Sequence, residues 1–401
     1  MQRFACPRRH GKVGAAAQSA KMSDFSLSAD ARPNQRSMRL DAVRGVAIAM
    51  ILLFHLFSGP LAAYSLRVSY FAGCLWSGVD LFFCLSGYLI GGIILDNIQS
   101  PNFYRTFYAR RALRIFPLYA LCVVGYFIVI QSFRDFLTYA TFTQNFEMAS
   151  TGLMGTWVGV TWSLAIEEQF YLILPAIVRF TPPSRLPWVC VAMIASAPLA
   201  RLLAYWAYGD KIAVYVLLPC RMDALFAGVL VAWLVRDGRA LAWVKRRRAA
   251  AILGLGALWL GTALLFRADA TPFSDRMQEY GYTWTALTFA ASLFAVVSSP
   301  ATPTAARAFK PLAQIGVGAY SMYLFHYPIL LVFQRAIADP MIASLVALAA
   351  ILAFSFLLWR AVEAPLLEIG KRRFRYDLAR QARFAPQEVP IAASALTRPS
   401  V

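Results

Sequence analysis

Apolar residues run along this chain in blocks of about twenty, the length a bilayer core requires of a helix, parted by short polar stretches. Ten such blocks fall at approximately 41–59, 74–96, 113–131, 160–180, 187–206, 219–236, 249–267, 281–299, 315–335 and 341–362. Since only helices or closed barrels satisfy their backbone in lipid, runs of this length predict an all-α, polytopic integral membrane protein with about ten transmembrane helices. Residues 1–36 mix Arg, Lys, Ser, Ala and Gly with no sustained apolar run, which predicts a disordered cytoplasmic tail without the apolar core of a signal peptide. Residues 37–375 are expected to form the membrane domain, and 376–401 a flexible cytoplasmic tail.

The basic residues between the blocks set a direction. With the N-terminus inside, the inner loops collect Arg105, Arg110, Arg111 and Arg114, then Arg179 and Arg185, the run from Arg236 to Arg248, Arg307 with Lys310, and Lys371-Arg372-Arg373. The outer ends hold only scattered cations such as Arg67, Arg134, Lys211 and Arg267. This asymmetry predicts that both termini are cytoplasmic.

Composition agrees, with 59 % apolar and 15 % charged residues. The formal charge of +19 sits in those short clusters and in no recognisable nucleic-acid-binding motif, so no nucleic-acid partner is expected. Six scattered cysteines without a C-x-x-C pair, and only His10, His55 and His326, predict neither a disulfide framework nor a metal site.

The polar residues inside the apolar blocks carry the chemistry, because a charge near the centre of a span costs roughly 2.5–3.5 kcal/mol and normally faces a protein or aqueous interior. In the first block Arg44 and His55 are eleven residues apart. That spacing returns to within roughly 20° of one helix face, about 16 Å further along the axis. Arg111 and Arg114, at i and i+3, share a face and suit either a phosphate clamp or a positive-inside anchor. Asp80 enters a helix that also holds Ser86, and either acts directly or pairs with Arg201 or Arg221. Ser163, Glu167 and Tyr171 line one face at i, i+4 and i+8, with Glu168 turned about 100° away. A carboxylate beside an imidazole holds its tautomer and raises its basicity, so Glu167 is expected to orient His55 as a general base, with a structural ion pair as the alternative. Arg221 and Asp223 open the sixth block, His326 precedes Pro328 in the ninth, where a kink with a locally satisfied ring competes with a ligand contact, and Glu363 reads as a helix-end feature.

By depth, His55, Asp80, Glu167 and Glu168 are expected toward the outer face, and Arg44, Arg111 and Arg114 toward the cytoplasm. This suits an anionic donor that enters from inside and delivers its reactive end to an acceptor outside. Gln144, Asn145, Glu147 and Trp157 are read as a solvated outer loop first and as sugar contacts second.

Together these pieces resemble the acyltransferase family 3 membrane proteins, the group of O-antigen and exopolysaccharide O-acetyltransferases. The matching pieces are the spacing of Arg44 and His55, Gly78-Val79-Asp80-Leu81-Phe82-Phe83 with Ser86-Gly87, the Arg111/Arg114 pair before Pro117, and Trp162-Ser163-Leu164 with Glu167 and Phe170-Tyr171. Arg221 with Asp223 and Gly228, and Tyr320-Ser321 with His326 and Pro328, complete the set, which spans approximately residues 37–375. The resemblance implies a multi-pass bacterial inner-membrane enzyme that moves an acyl group, expected to be acetyl, from acyl-CoA to a hydroxyl of a carbohydrate or lipid-linked glycan. It implies His55 as the essential histidine, Glu167 as the acidic position, and Arg44, Arg111 and Arg114 as acyl-CoA contacts. Asp80, Ser86, Ser163, Tyr171, Arg221, Asp223 and His326 are then substrate-binding or supporting residues, with no metal and no permanently bound cofactor. The chain departs from the family at Ala364, which follows Glu363 where a basic residue is common. A second class of function, a proton-coupled secondary transporter with His55, Asp80 and Glu167 as relay, lacks the internal repeats such proteins carry.

Overall fold

A computed structural model of the chain describes residues 33–130, 135–152, 157–269, 271–299 and 302–377. The expected tails therefore lie outside the described residues up to residue 32 and from 378 onward. Every regular element among the described residues is helical. The principal helices are α1 (Pro33–Phe57), α2 (Gly78–Asn97), α3 (Phe103–Ile130), α4 (Trp162–Phe180), α5 (Leu186–Tyr208), α6 (Leu218–Arg236), α7 (Gly238–Arg246), α8 (Arg248–Ala268), α9 (Tyr282–Ser298), α10 (Pro303–Val317), α11 (Ala319–Ala336), α12 (Pro340–Leu358) and α13 (Ala364–Arg373).

Among the described residues, eight helical stretches are long and apolar enough to cross a membrane, and nine if Arg307–Val317 and Ala319–Ala336, bent by 58°, count as one. The remaining expected span is α4, which has 19 residues but carries Glu167, Glu168 and Arg179. Several ends differ from the apolar pattern, among them the start of α1, which takes in residues 33–36, expected in the N-terminal tail. Helix α3 begins ten residues before the expected 113, so Arg105, Arg110, Arg111 and Arg114 stand on its first four turns rather than in a loop. Residues 103–112 contain no Gly or Pro, and their Ala and Arg residues favour the helix, which lets α3 start ahead of its apolar stretch. At the other end, α12 continues through a π-helical turn, Trp359–Glu363, into α13.

Local chemistry sets the helix starts. The Asp339 carboxylate caps the backbone N–H groups of Met341 and Ile342, with Pro340 at the first position. Asp237 does the same for Arg239 and Ala240 at the start of α7.

Two crossings hold the bundle at its centre, each made by small residues that let backbones touch. Where α1 meets α10, a Cβ on Gly45 would lie 1.9 Å from the Leu312 carbonyl oxygen, and one on Gly316 would lie 1.7 Å from that of Asp41. Where α2 meets α6, a Cβ on Gly87 would strike the Leu225 carbonyl oxygen at 1.9 Å, and one on Gly228 that of Cys84 at 2.0 Å.

The same helices are braced by buried ions. Asp80 of α2 pairs with Arg221 of α6, and Arg201 of α5 binds Asp223 of α6 at 2.7 Å, all four side chains no more than 2 % exposed. Thr283 bridges Arg201 and Asp223, at 2.6 and 2.7 Å. The Arg221 guanidinium also lies over the Tyr282 ring, 4.0 Å from its centroid, which gives it a second source of compensation in a dry interior. Of the alternatives for Asp80, the observed one is the ion pair with Arg221.

Candidate active site

Helix α1 presents His55 and Arg44 in two separate layers. At the upper layer the His55 ring packs against His326 of α11, with centroids 4.8 Å apart and planes tilted by 58°. His55 Nδ1 is 3.0 Å from the Ile51 carbonyl oxygen. A carbonyl only accepts, so Nδ1 carries the hydrogen and Nε2 keeps its lone pair. Among the described residues nothing hydrogen-bonds Nε2, and the ring is half-buried. The imidazole is thus held in the tautomer a general base requires. Ser163 and Tyr323 close this layer from behind, their hydroxyls 2.6 Å apart.

At the lower layer Arg44 is paired with Asp41 one turn away. Arg111 and Arg114 of α3 lie within electrostatic reach of Arg44, and both are half-buried. Among the described residues neither makes an ion pair or hydrogen bond. Their neighbour Arg110 is engaged instead, donating to the Phe374 carbonyl at 2.7 Å and stacking over Tyr376. The two unpaired guanidiniums share the face that their i, i+3 spacing predicts, and three arginines crowd one locality.

Glu167 belongs to this lower layer. Its Oε2 accepts from the Tyr171 hydroxyl at 2.9 Å, that hydroxyl lies 2.7 Å from Ser86 Oγ, and the carboxylate is within electrostatic reach of Arg114 and Arg111. The expectation that Glu167 orients His55 is therefore corrected: the ring's partner is Ile51, and the carboxylate faces the arginines. The shared face of Ser163, Glu167 and Tyr171 is as expected, but along it only Ser163 reaches the histidine layer. A helical face extends over several turns, and spacing alone does not say which turn meets which neighbour.

Two further placements differ from the sequence reading. Glu363, taken for a helix end, is buried at 8 % exposure, accepts from the Ser321 hydroxyl, and is within electrostatic reach of Arg114. Its signal was an acid in the last apolar block, and the π-helical turn that ends on it is the kind of irregularity found at functional sites. Gln144 and Asn145 are fully buried: Gln144 donates to the Thr161 carbonyl at 3.0 Å and Asn145 to that of Val216 at 3.2 Å. They tie the connecting segment to the bundle and are not a solvated loop. Asp80, Arg221 and Asp223 stand apart as the brace described above, contacting neither layer through hydrogen bonds.

Residues 39–360 match the acyltransferase 3 family, described as an acyltransferase domain. The chain belongs to this family. Both layers of the candidate site lie within the matched segment except Glu363, which falls three residues beyond it. The chain is 26 % identical over 380 residues to the O-acetyltransferase OatA of Staphylococcus aureus, a match that covers 86 % of this chain and 60 % of that protein. It is 26 % identical over 362 residues to the peptidoglycan O-acetyltransferase OatA of Listeria monocytogenes, covering 82 % and 56 %. It is 28 % identical over 322 residues to the putative membrane-bound transacylase BcsY of Komagataeibacter xylinus, covering 75 % of each. The chain thus spans only about 60 % of the length of the S. aureus protein it matches. No solved structure matches it.

Proposed function

We propose that this protein is an integral-membrane O-acyltransferase of the bacterial inner membrane that carries an acyl group, acetyl in the first instance, from acyl-CoA to a glycan hydroxyl. The observation that carries the reading is one helix face with a tautomer-fixed imidazole at one level and an arginine next to two unpaired guanidiniums at another. Arg111 and Arg114 bind the CoA phosphates from the cytoplasmic side, where planar, bidentate donors suit phosphate oxygens. Arg44, fixed by Asp41, adds positive field to the same place. The thioester end of the donor then reaches the histidine layer, which positive-inside orientation puts nearer the outer face.

There His55 Nε2 takes the proton of the acceptor hydroxyl, the oxygen attacks the thioester carbonyl, the C–S bond breaks, and the proton passes to the leaving sulfur. The acceptor is a surface glycan or its lipid-linked precursor, consistent with the Listeria monocytogenes relative, named a peptidoglycan O-acetyltransferase. Membrane lipid surrounds the domain, and 37–375 acts as one transferase unit.

A proton relay through His55, Asp80 and Glu167 is disfavoured by the geometry on which it would depend. Asp80 is tied to Arg221, and Glu167 to Tyr171, in separate parts of the bundle.

The test uses inverted inner-membrane vesicles from the source cell, which hold its own acceptors and expose the cytoplasmic face. Radiolabelled acetyl-CoA added outside is expected to label a glycan fraction and release free thiol, and His55→Ala to lower transfer by about 10²–10⁴-fold at equal protein level, the usual contribution of a positioned general base. Normal transfer by that variant, or proton-coupled solute uptake with no thiol release, overturns the reading.

A further inference from the structure

His326 has no role in the scheme above, yet its environment is the more constrained of the two histidines. The side chain is fully buried. Its Nδ1 is 2.7 Å from the Tyr323 carbonyl oxygen, so Nδ1 carries the hydrogen, and Nε2 is a buried lone pair with no partner among the described residues. Buried polar atoms are normally paired, and an orphan asks for an explanation. The surroundings keep the ring where it is. Pro328 has no N–H for the Leu324 carbonyl, and the Cys122 thiol fills that vacancy at 3.6 Å. The Tyr323 hydroxyl donates to the Val160 carbonyl at 2.7 Å and is backed by Ser163. This fixed imidazole lies against the ring of His55, with centroids 4.8 Å apart and planes tilted by 58°.

We infer that His326 is a positioning residue for His55: two neutral imidazoles form a pair in which His326 holds the reacting ring and its unpaired Nε2 shares the proton that His55 takes from the acceptor. This rests on the reading of His55 as the base. The proton count is unchanged by the pair. One proton leaves the hydroxyl, is held by His55 with His326 as its second acceptor while the tetrahedral centre exists, and departs on the thiol, and both rings end neutral. The orphan nitrogen is thereby unpaired only in the resting state. Tyr327 flanks both rings, its centroid 5.9 Å from that of His55 and 6.4 Å from that of His326.

The same vesicle assay separates this from simple packing. His326→Phe keeps a planar ring of similar bulk and removes the lone pair, whereas His326→Gln keeps an acceptor oxygen. Phe is expected to lower the maximal transfer rate about 100-fold while the KM for acetyl-CoA stays within about twofold, and Gln to recover roughly tenfold of that loss. If the Phe variant transfers within about threefold of the parent, the pair is overturned. If Phe and Gln fall equally and KM rises with them, His326 is a packing residue and the pair is overturned as well. The parent and His55→Ala run alongside: a parent that transfers no label, or a His55→Ala variant that transfers normally, sinks the transferase reading and the pair with it, while a normal Phe variant beside a dead His55→Ala sinks the pair alone.

Discussion

The side chain whose meaning changes most between spacing and structure is Glu167. Its carboxylate is bonded to Tyr171 and lies within electrostatic reach of Arg111 and Arg114, so its charge bears on the arginine layer, the donor-binding layer of the proposed reaction, rather than on His55. The two roles leave different kinetic marks. A carboxylate that orients the imidazole lowers kcat when removed and leaves KM alone, whereas one that offsets arginine charge alters donor affinity. Glu167→Gln is accordingly expected to change the KM for acetyl-CoA with kcat within about threefold, and a kcat loss of about 100-fold at constant KM would restore the orienting role. Arg114→Gln is expected to raise KM about tenfold or more, since a hydrogen bond to a charged group contributes roughly 1.5–3 kcal/mol. Both are read from label transfer at varied acetyl-CoA.

Among the helices, the contact between α2 and α6 is decisive because it bears on both polar systems. Ser86, next to Gly87, reaches Tyr171 in the lower layer, and Asp80 on the same helix is locked to Arg221. Both depend on the backbones meeting at Gly87 and Gly228, where an added methyl overlaps a carbonyl oxygen. Gly228→Ala must force the helices apart, and overpacking of this kind costs about 1–3 kcal/mol. The expected result is a lower thermal unfolding midpoint in detergent together with reduced transfer, whereas Gly238→Ala, at a position where an added Cβ meets nothing within 4 Å, leaves both unchanged. An unaltered midpoint for Gly228→Ala would show that the crossing tolerates separation. The α10–α11 bend and the π-helical turn before α13 serve a similar end, bringing Ser321 and Glu363 into contact from two different helices.

For the whole molecule, direction in the bilayer decides whether the two layers can serve a donor from one side and an acceptor from the other. Reporter fusions after residue 377 are expected to be active in the cytoplasm, and a fusion at Lys211 or at Asp275, which pair with each other at 2.7 Å, to be active outside. The reverse pattern would place Arg111 and Arg114 on the wrong side for CoA. Much of this architecture was legible in advance. The apolar blocks, their order and the helical spacings of Arg44 with His55 and of Arg111 with Arg114 all follow from residues close in sequence. Bilayer thickness and the 3.6-residue turn act on neighbours, and a single chain segment contains all the information they use. Which polar group meets which was decided only by packing. His55 and His326 are 271 residues apart, Glu167 chose the arginines over the imidazole, and Glu363 turned inward through a π-helical turn. Such pairings depend on which turns of distant helices come level, a quantity set by crossing points such as Gly87 against Gly228 and absent from any local spacing.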